Sequence, residues 1–377
     1  MGPRSLLAVA LGASLALGVG AALAVGPRPP TLDDAPVTGD VDLAARAMQA
    51  LGAGGVRALS VAVVDTAAPA GQQVRLAAVG TTAGAGSDPV HPATPFETGS
   101  VAKALDGLLL ADMVERGEVD LDEPVGVLLP GTPLVGADAT LVELATHRSG
   151  LPRLPPGSFL PGLLNRWSGA DPYDETPADV LAAAAEAGAP GGSEPAYSNL
   201  GAAVLGLALA ERAGRPWPDL LAERLAEPVG MSATSVATTP EEVPAGGAQP
   251  VRANGRAVEA WTAPGYAPAG VGPWSSAEDL AALATALLDG SAPGAAALEP
   301  VTAYTGDREI GLHWITSPLE DDTGEEHLVT WHNGGTGGTS TFVGLDRERG
   351  RAVVVLATTT RSVDDAALSL LLEAPGA

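Results

Sequence analysis

The chain has 377 residues, 45 acidic against 20 basic, with a formal net charge of -25 and no cysteine. Its length can bury one or two substantial cores. Its charge argues against a nucleic-acid partner, whose phosphates it would repel, and the lack of thiols excludes disulfides and thiolate metal sites.

At the N-terminus Arg4 precedes an uncharged run from Ser5 to Val25, and Ala22-Leu23-Ala24 has the small-residue form of a signal cleavage site. Residues 1–26 are therefore expected to be a signal peptide or, since the run is long enough to span a bilayer, a membrane anchor; either implies export. The proline-rich stretch 27–37 reads as a linker outside the fold. Val41 to Leu51 carries apolar residues at helical spacing and stops before Gly52, Gly54 and Gly55. Ala58 to Asp65 and Gln73 to Val79 then read as two strands joined by a Pro/Gly loop. The glycine-rich segment Thr81 to Ser87 delivers the chain to Phe96-Glu97-Thr98-Gly99-Ser100-Val101-Ala102-Lys103.

From Ser100 to Leu288 helical patterns dominate: Ser100 onward, Leu141 to Thr146, Pro177 to Ala187, Leu200 to Ala213, Trp217 to Leu225 and Ala277 to Leu288. Arg153 to Thr176 is a long proline-rich loop of the kind that borders clefts. The period then changes. Ile310 to Ile315, Leu328 to His332, Ser340 to Leu345 and Ala352 to Ala357 read as strands, with turns at Gly324 and Arg349-Gly350, before a last helix from Asp364 to Leu372. Strands at both ends and helices between predict a discontinuous α/β sheet domain, residues 38–98 and 300–377. A mainly helical insertion, residues 99–299, interrupts it, and Ser100 lies at the junction, a favoured place for a pocket.

Three constellations carry candidate chemistry. Ser100 sits at a helix start, where its amide is an orphan donor at the positive end of the dipole, and Lys103 follows one turn later on the same face. Serine is a poor nucleophile until a base takes its proton, and a desolvated lysine can be that base, whereas arginine cannot. Lys103 is the only lysine in the chain. A composition that elsewhere uses arginine has kept lysine where a cation must be able to lose its proton. Tyr197 and Asn199 stand two apart in a loop that opens a helix. A lysine ammonium nearby would favour the phenolate, so Tyr197 could relay protons, and Asn199 could hold a substrate amide or simply cap the helix. His332-Asn333-Gly334-Gly335 ends a predicted strand; its glycines would admit an extended substrate, and the Gly335 amide is a candidate second oxyanion donor opposite that of Ser100.

Taken in order, these sites resemble the serine β-lactamase and penicillin-binding superfamily, where S-x-x-K, Y-x-N and a K-T-G or H-x-G segment line one cleft. The tyrosine resembles the branch of class C β-lactamases, D-alanyl-D-alanine carboxypeptidases and related esterases. Gly117 to Val125, His147 to Pro152, Glu227 to Met231, Pro268 to Gly270 with Ser275 to Leu280, and Gly344 to Asp346 are similar to stock segments of that family. The likeness spans roughly Leu43 to Thr358.

The resemblance implies a β-lactamase/transpeptidase-like fold, with an antiparallel sheet, flanking helices and the inserted helical domain, and an acyl-serine mechanism. In it Ser100 attacks a carbonyl, Lys103 takes its proton, Tyr197 passes it to the leaving group, Asn199 and His332 orient the substrate, Gly334 lets it approach, and the amides of Ser100 and Gly335 hold the oxyanion. No metal or organic cofactor is implied. The expected partner is a small molecule or peptide, cell-wall fragments included, with the protein acting as a monomer and touching membrane only through an uncleaved N-terminal segment. His332 stands where many β-lactamases carry lysine, which favours an ester or D-amino-acid peptide over a β-lactam. The rival reading is a catalytically impaired, penicillin-binding-like binding or regulatory protein. His91, His147, His313 and His327 lack ligand spacing and read as structural or solvated.

Overall fold

The alternation of small and β-branched residues in 58–65 and 351–357 gives each strand two apolar faces, as a sheet covered on both sides requires. The computed structural model describes residues 28–84, 86–130, 138–155, 168–187 and 194–373. Its main sheet has nine antiparallel strands in the order β1-β3-β2-β12-β11-β10-β9-β8-β7. These are β1 (Val37–Gly39), β2 (Ala58–Asp65), β3 (Val74–Gly80), β7 (Thr302–Ala303), β8 (Glu309–Ile310), β9 (Ile315–Glu320), β10 (Glu326–Gly335), β11 (Ser340–Asp346) and β12 (Arg351–Ala357). N- and C-terminal strands meet where β2 pairs with β12, Val61 opposite Val355, so the sheet is built from both ends of the chain.

Leu59, Val61, Val63, Val353 and Val355 face one core, closed by α1 (Val41–Leu51) and the last helix, Asp364–Leu372. Ala58, Ala62, Val64, Val354 and Leu356 face the other, which continues into the helical part of the molecule. A second sheet of three short strands, β4 (Phe96–Glu97), β6 (Pro273–Ser275) and β5 (Ser235–Val236), holds the segment that leads into Ser100. Helix α2 (Val101–Glu115) then runs through the interior; every residue from Val101 to Met113 is buried, Lys103 and Asp106 included. It is apolar nearly all round because it is packed nearly all round. Gly107 permits this, since a Cβ there would lie 1.9 Å from the Leu312 carbonyl oxygen.

The structure amends three expectations. Within the expected linker 27–37, the described residues 28–37 are not free chain: Leu32 is 1% exposed and donates its amide to Ala53, and Val37 opens β1. The helix Ala277–Leu288, assigned by sequence to the helical insertion, packs on β2 and β12 and belongs to the sheet unit. The expected strand from Ile310 to Ile315 is broken. Glu309–Ile310 and Ile315–Glu320 are separate strands joined by a turn in which His313 has a φ of 63°; the unbroken run of apolar and aromatic residues hid that turn. The expected helices at Leu141–Ala145, Pro177–Ala187 and Asn199–Ala213 occur where periodicity placed them, whereas the short turns of helix at Val125–Leu128 and Pro264–Ala269 were not expected. No helix among the described residues is long and apolar enough to cross a membrane. The expected signal or anchor segment lies outside the described residues, as does 156–167 of the Arg153 to Thr176 loop.

Candidate active site

The serine segment is fixed before the helix begins. Phe96 and Glu97 pair with Ser275 and Trp274, and the Thr98 amide donates to the Pro273 carbonyl at 2.9 Å. Gly99 then turns with a φ of 52°, a conformation that suits glycine, and a Cβ there would meet the Gly335 nitrogen at 2.6 Å. Ser100 occupies the N-cap position of α2, yet its hydroxyl caps nothing. Its Oγ instead accepts from Lys103 Nζ at 3.0 Å and from Tyr197 Oη at 2.8 Å. The Ser100 amide donates to no other group among the described residues, leaving an orphan donor at the helix start.

Lys103 has no exposed surface, and its Nζ also donates to the Ala269 carbonyl at 2.5 Å. That carbonyl comes from Pro268-Ala269-Gly270, brought close because Gly270 has no side chain: a Cβ there would lie 2.3 Å from Gly99 O and 2.8 Å from Ser100 N. Burial pushes the Lys103 ammonium below its usual range, more than the opposing pull of Tyr197. Burial by itself raises the Tyr197 phenol, but the Lys103 charge, the hydrogen bonds at its oxygen and Arg153 together bring it below its usual value. Both groups are thereby moved toward accepting the serine proton.

The Tyr197–Asn199 loop is held against the His147–Arg153 segment by four hydrogen bonds. Ala196 N donates to His147 O at 2.8 Å, Ser198 N to His147 Nδ1 at 3.3 Å, Ser198 Oγ to Pro152 O at 2.7 Å and Asn199 N to Arg153 O at 3.1 Å. Ser198 is the N-cap of the helix Asn199–Ala213, accepting from Gly201 N. Asn199 is thus released from capping, and its Oδ1 has no protein partner.

Strand β10 supplies the opposite wall. Its residues 332–335 pair with β11, while the β9 ladder ends at Trp331, so their other edge has no strand beside it. Gly334 lies against the serine segment; a Cβ there would be 2.1 Å from Thr98 O and 3.0 Å from Ser100 N. His332 departs from its expected place. Its ring is only 2% exposed, Nδ1 lies 2.6 Å from the Asn333 carbonyl, and burial with the nearby Lys103 charge holds it down to about 3. It is a neutral wall beside Lys103 and not a free arm for orienting substrate. Asn333 points to the other face of the sheet, where its Nδ2 donates to Asp364 at 2.7 Å.

Four residues at the site escaped the sequence reading of function. His147 packs its ring 4.6 Å from that of Tyr197, and His313 lies 5.0 Å from His147. Both are buried and held well below the usual imidazole range, chiefly by burial. With Asp34 they are the non-glycine residues of positive φ among those described, a backbone strain tolerated only in an over-determined setting. Asp106, one turn after Lys103, accepts from Trp217 Nε1 at 2.8 Å with Oδ2 unpartnered. Glu97 receives Trp261 N, Thr336 Oγ1 and Thr339 Oγ1 at 2.8, 2.5 and 3.2 Å, binding the serine segment to the turn after β10. A carboxylate three residues before the serine, and another inside an apolar helix, were the available signals.

Burial raises Glu97 to about 7 and Asp106 to about 8. A carboxyl whose folded value exceeds its unfolded one binds its proton more tightly when folded, so its contribution is complete below the unfolded value and lost as pH rises through the folded one. The protein should therefore lose thermal stability between pH 3.8 and about 8, Asp106 contributing over that whole range and Glu97 between 4.5 and about 7. Glu97→Gln and Asp106→Asn should each flatten that slope in unfolding scans across pH; a slope unchanged in both variants would refute the assignment.

The donor set at the site, a hydroxyl, an amine, a phenol and imidazoles without ligand spacing, is not one that gathers a metal. Elsewhere Asp321, Glu325 and His327 have ligand atoms within 4.8 Å of one another. His327, however, is already placed between Asp321 and Asp346 at 3.2 and 3.3 Å, which ties the β9–β10 turn to β11.

A serine hydroxyl gripped by an amine and a phenol, with a free amide at a helix start, is the arrangement of a serine hydrolase. The chain belongs to the beta-lactamase family, whose sequence model matches residues 44–374. Its fold is that of the class C beta-lactamases: one such enzyme superposes with a TM-score of 0.73 over 89% of this chain and 95% of that one, at 19% identity. A D-stereospecific amidohydrolase from Streptomyces sp. superposes with a TM-score of 0.66 over 84% and 94%, at 22% identity. In sequence, the D-alanyl-D-alanine-carboxypeptidase/endopeptidase AmpH of Escherichia coli (strain K12) is 34% identical over 147 residues, 38% of this chain. That match takes in 37% of the relative's own length.

Proposed function

We infer that the protein is an exported serine hydrolase that works through an acyl-Ser100 intermediate on the carbonyl of a small ester or a D-amino-acid peptide. The observation that carries this reading is the double hold on one oxygen, Lys103 Nζ at 3.0 Å and Tyr197 Oη at 2.8 Å from Ser100 Oγ. Lys103 in its neutral form takes the hydroxyl proton as Oγ bonds to the carbonyl carbon. The Ser100 and Gly335 amides receive the oxyanion, Tyr197 passes a proton to the departing nitrogen or oxygen, and the carbon–leaving-group bond breaks. Water then follows the reverse proton path and releases the acid and free Ser100. Asn199, whose Oδ1 is buried and without a hydrogen-bond partner among the described residues, is assigned to the acyl side chain of the substrate, whose N–H would satisfy that oxygen. The likeness to a D-alanyl-D-alanine-carboxypeptidase/endopeptidase and to a D-stereospecific amidohydrolase supports amide substrates of D-residues. A neutral His332 gives little electrostatic support for efficient β-lactam turnover.

A fluorophosphonate probe is expected to add one covalent mass to Ser100 and none to Ser100→Ala. A short ester, a D-Ala-D-Ala peptide and a chromogenic cephalosporin, assayed side by side, should rank the cephalosporin lowest in turnover. An unlabelled Ser100 after prolonged exposure would overturn the hydrolase reading. Stoichiometric acylation with no product from any of the three would favour a binding or regulatory protein instead.

A further inference from the structure

Asp106 is a buried acid that the acylation steps above do not use. It stands one turn beyond Lys103 on α2, the spacing at which two helical side chains share a face with their Cβ atoms about 5–6 Å apart. Both residues are 0% exposed. Trp217 Nε1 donates to Asp106 Oδ1 at 2.8 Å, and Oδ2 has no hydrogen-bond partner among the described residues. From the helix Asn199–Ala213 it is Gly206 that faces the carboxyl; a Cβ there would lie 2.9 Å from Oδ1.

A carboxylate in this place would hold its charge on a single donor. Lys103 does not neutralise it by contact, since Nζ donates to Ser100 Oγ and Ala269 O. Lys103 is nevertheless the ionisable group whose charge acts on Asp106, and the Asp106 charge acts on Lys103 in return. Tyr197 and Arg153 also act on Lys103, while His147, His313 and His332, which feel its charge, are buried and held neutral. Two opposite charges that are dry and do not touch are costly. An amine with a carboxylic acid carries the same number of protons as an ammonium with a carboxylate, so burial favours the uncharged form of the pair. That form leaves Lys103 free to take the Ser100 proton.

We propose that Asp106 is the positioning residue for the proton of the general base: its carboxyl and the Lys103 amine share one proton across a helical turn, and this sharing sets the basicity of Lys103. The inference rests on the acyl-serine reading. When the shared proton lies on nitrogen, the carboxylate attracts it, which opposes the effect of burial; burial alone would leave the amine a weak base. Burial raises Asp106 to about 8 while it lowers Lys103, so the two proton affinities approach each other, the condition under which a pair titrates as a unit.

The test follows the second-order rate of fluorophosphonate labelling of Ser100, and kcat/KM on a short ester, against pH. In the wild-type protein both should rise with pH over two ionisations, because the base is freed in two steps. Asp106→Asn keeps the shape and an oxygen for Trp217 but removes the second proton site. Its limb should narrow to one ionisation with a midpoint lower by about one pH unit, the low end of what one neighbouring charge does. Its plateau rate should fall, because the amine is then a weaker base. Trp217→Phe leaves the carboxyl and strips its donor, so the carboxylate forms in fewer molecules and the midpoint should move the same way by less. A purely structural role would lower the melting temperature, and the rate at every pH, without moving the midpoint. Midpoints that coincide in wild type and Asp106→Asn, or in wild type and Trp217→Phe where Asp106→Asn does not fold, overturn the role of Asp106, as does a wild-type limb that fits one ionisation. Absence of labelling at any pH overturns the acyl-serine reading itself.

Discussion

Lys103→Met is expected to lower kcat on an activated ester by about a hundred- to ten-thousandfold, the range of a positioned general base, without lowering the melting temperature. Lys103 is enclosed, with Ser100 Oγ at 3.0 Å and the Ala269 carbonyl at 2.5 Å as its partners. Methionine matches its length and removes a cation whose burial is itself costly, so the fold should be retained or gain stability while the base is lost. Lys103→Arg, the substitution that chemistry alone suggests, is a poorer test in this setting. A guanidinium is larger than the enclosed space filled by the ammonium, and the variant could fail through overpacking. Circular dichroism, thermal unfolding and steady-state kinetics on Lys103→Met separate the two effects. Activity within tenfold of wild type would remove Lys103 from the mechanism.

Tyr197→Phe should have an effect that depends on the leaving group. The phenol donates to Ser100 Oγ at 2.8 Å and stands under the charge of Lys103, placed to carry a proton from one side of the tetrahedral intermediate to the other. An amine must be protonated to depart, whereas p-nitrophenolate need not be. Loss of the phenol is expected to cost an amide substrate about a hundred- to ten-thousandfold and an activated ester at least tenfold less. Fluorophosphonate should still label Ser100 in the variant, more slowly. Equal losses on the two substrates would assign Tyr197 to holding Ser100 and not to proton transfer.

The legible part of this molecule was its local order. Helices over Val41–Leu51, Pro177–Ala187, Ala277–Leu288 and Asp364–Leu372 occur within the bounds that apolar spacing and flanking glycine or proline imply, because amphipathic period and chain-breaking residues act within a few positions. The strand at Ala58–Asp65 is legible for the same reason. The serine and lysine needed only one helical turn to meet, and Tyr197 and Asn199 only one loop. Less legible were groups defined by what lies across the fold. His147 and His313 carry no spacing signal, since they are 166 positions apart and meet only when the turn before β9 folds back, its His313 amide donating to the Ala145 carbonyl. His332 was expected to contact substrate because the resemblance assigns that role to its segment, but strand alternation turned its ring into the interior beside Lys103.

Sequence by itself determined the candidate nucleophile and its candidate partners: a hydroxyl and the chain's single lysine one turn apart, and a tyrosine two before an asparagine. These are short-range relations that any helix or loop reproduces. Tertiary structure decided their electrical state. The α2 helix passes through the core, so Lys103, Asp106 and His332 lose water and shift toward neutrality, while Arg153 stays exposed with its Cζ 5.2 Å from the centre of the Tyr197 ring. Charge in a protein depends on solvent and on distant neighbours, and both are properties of the packed chain.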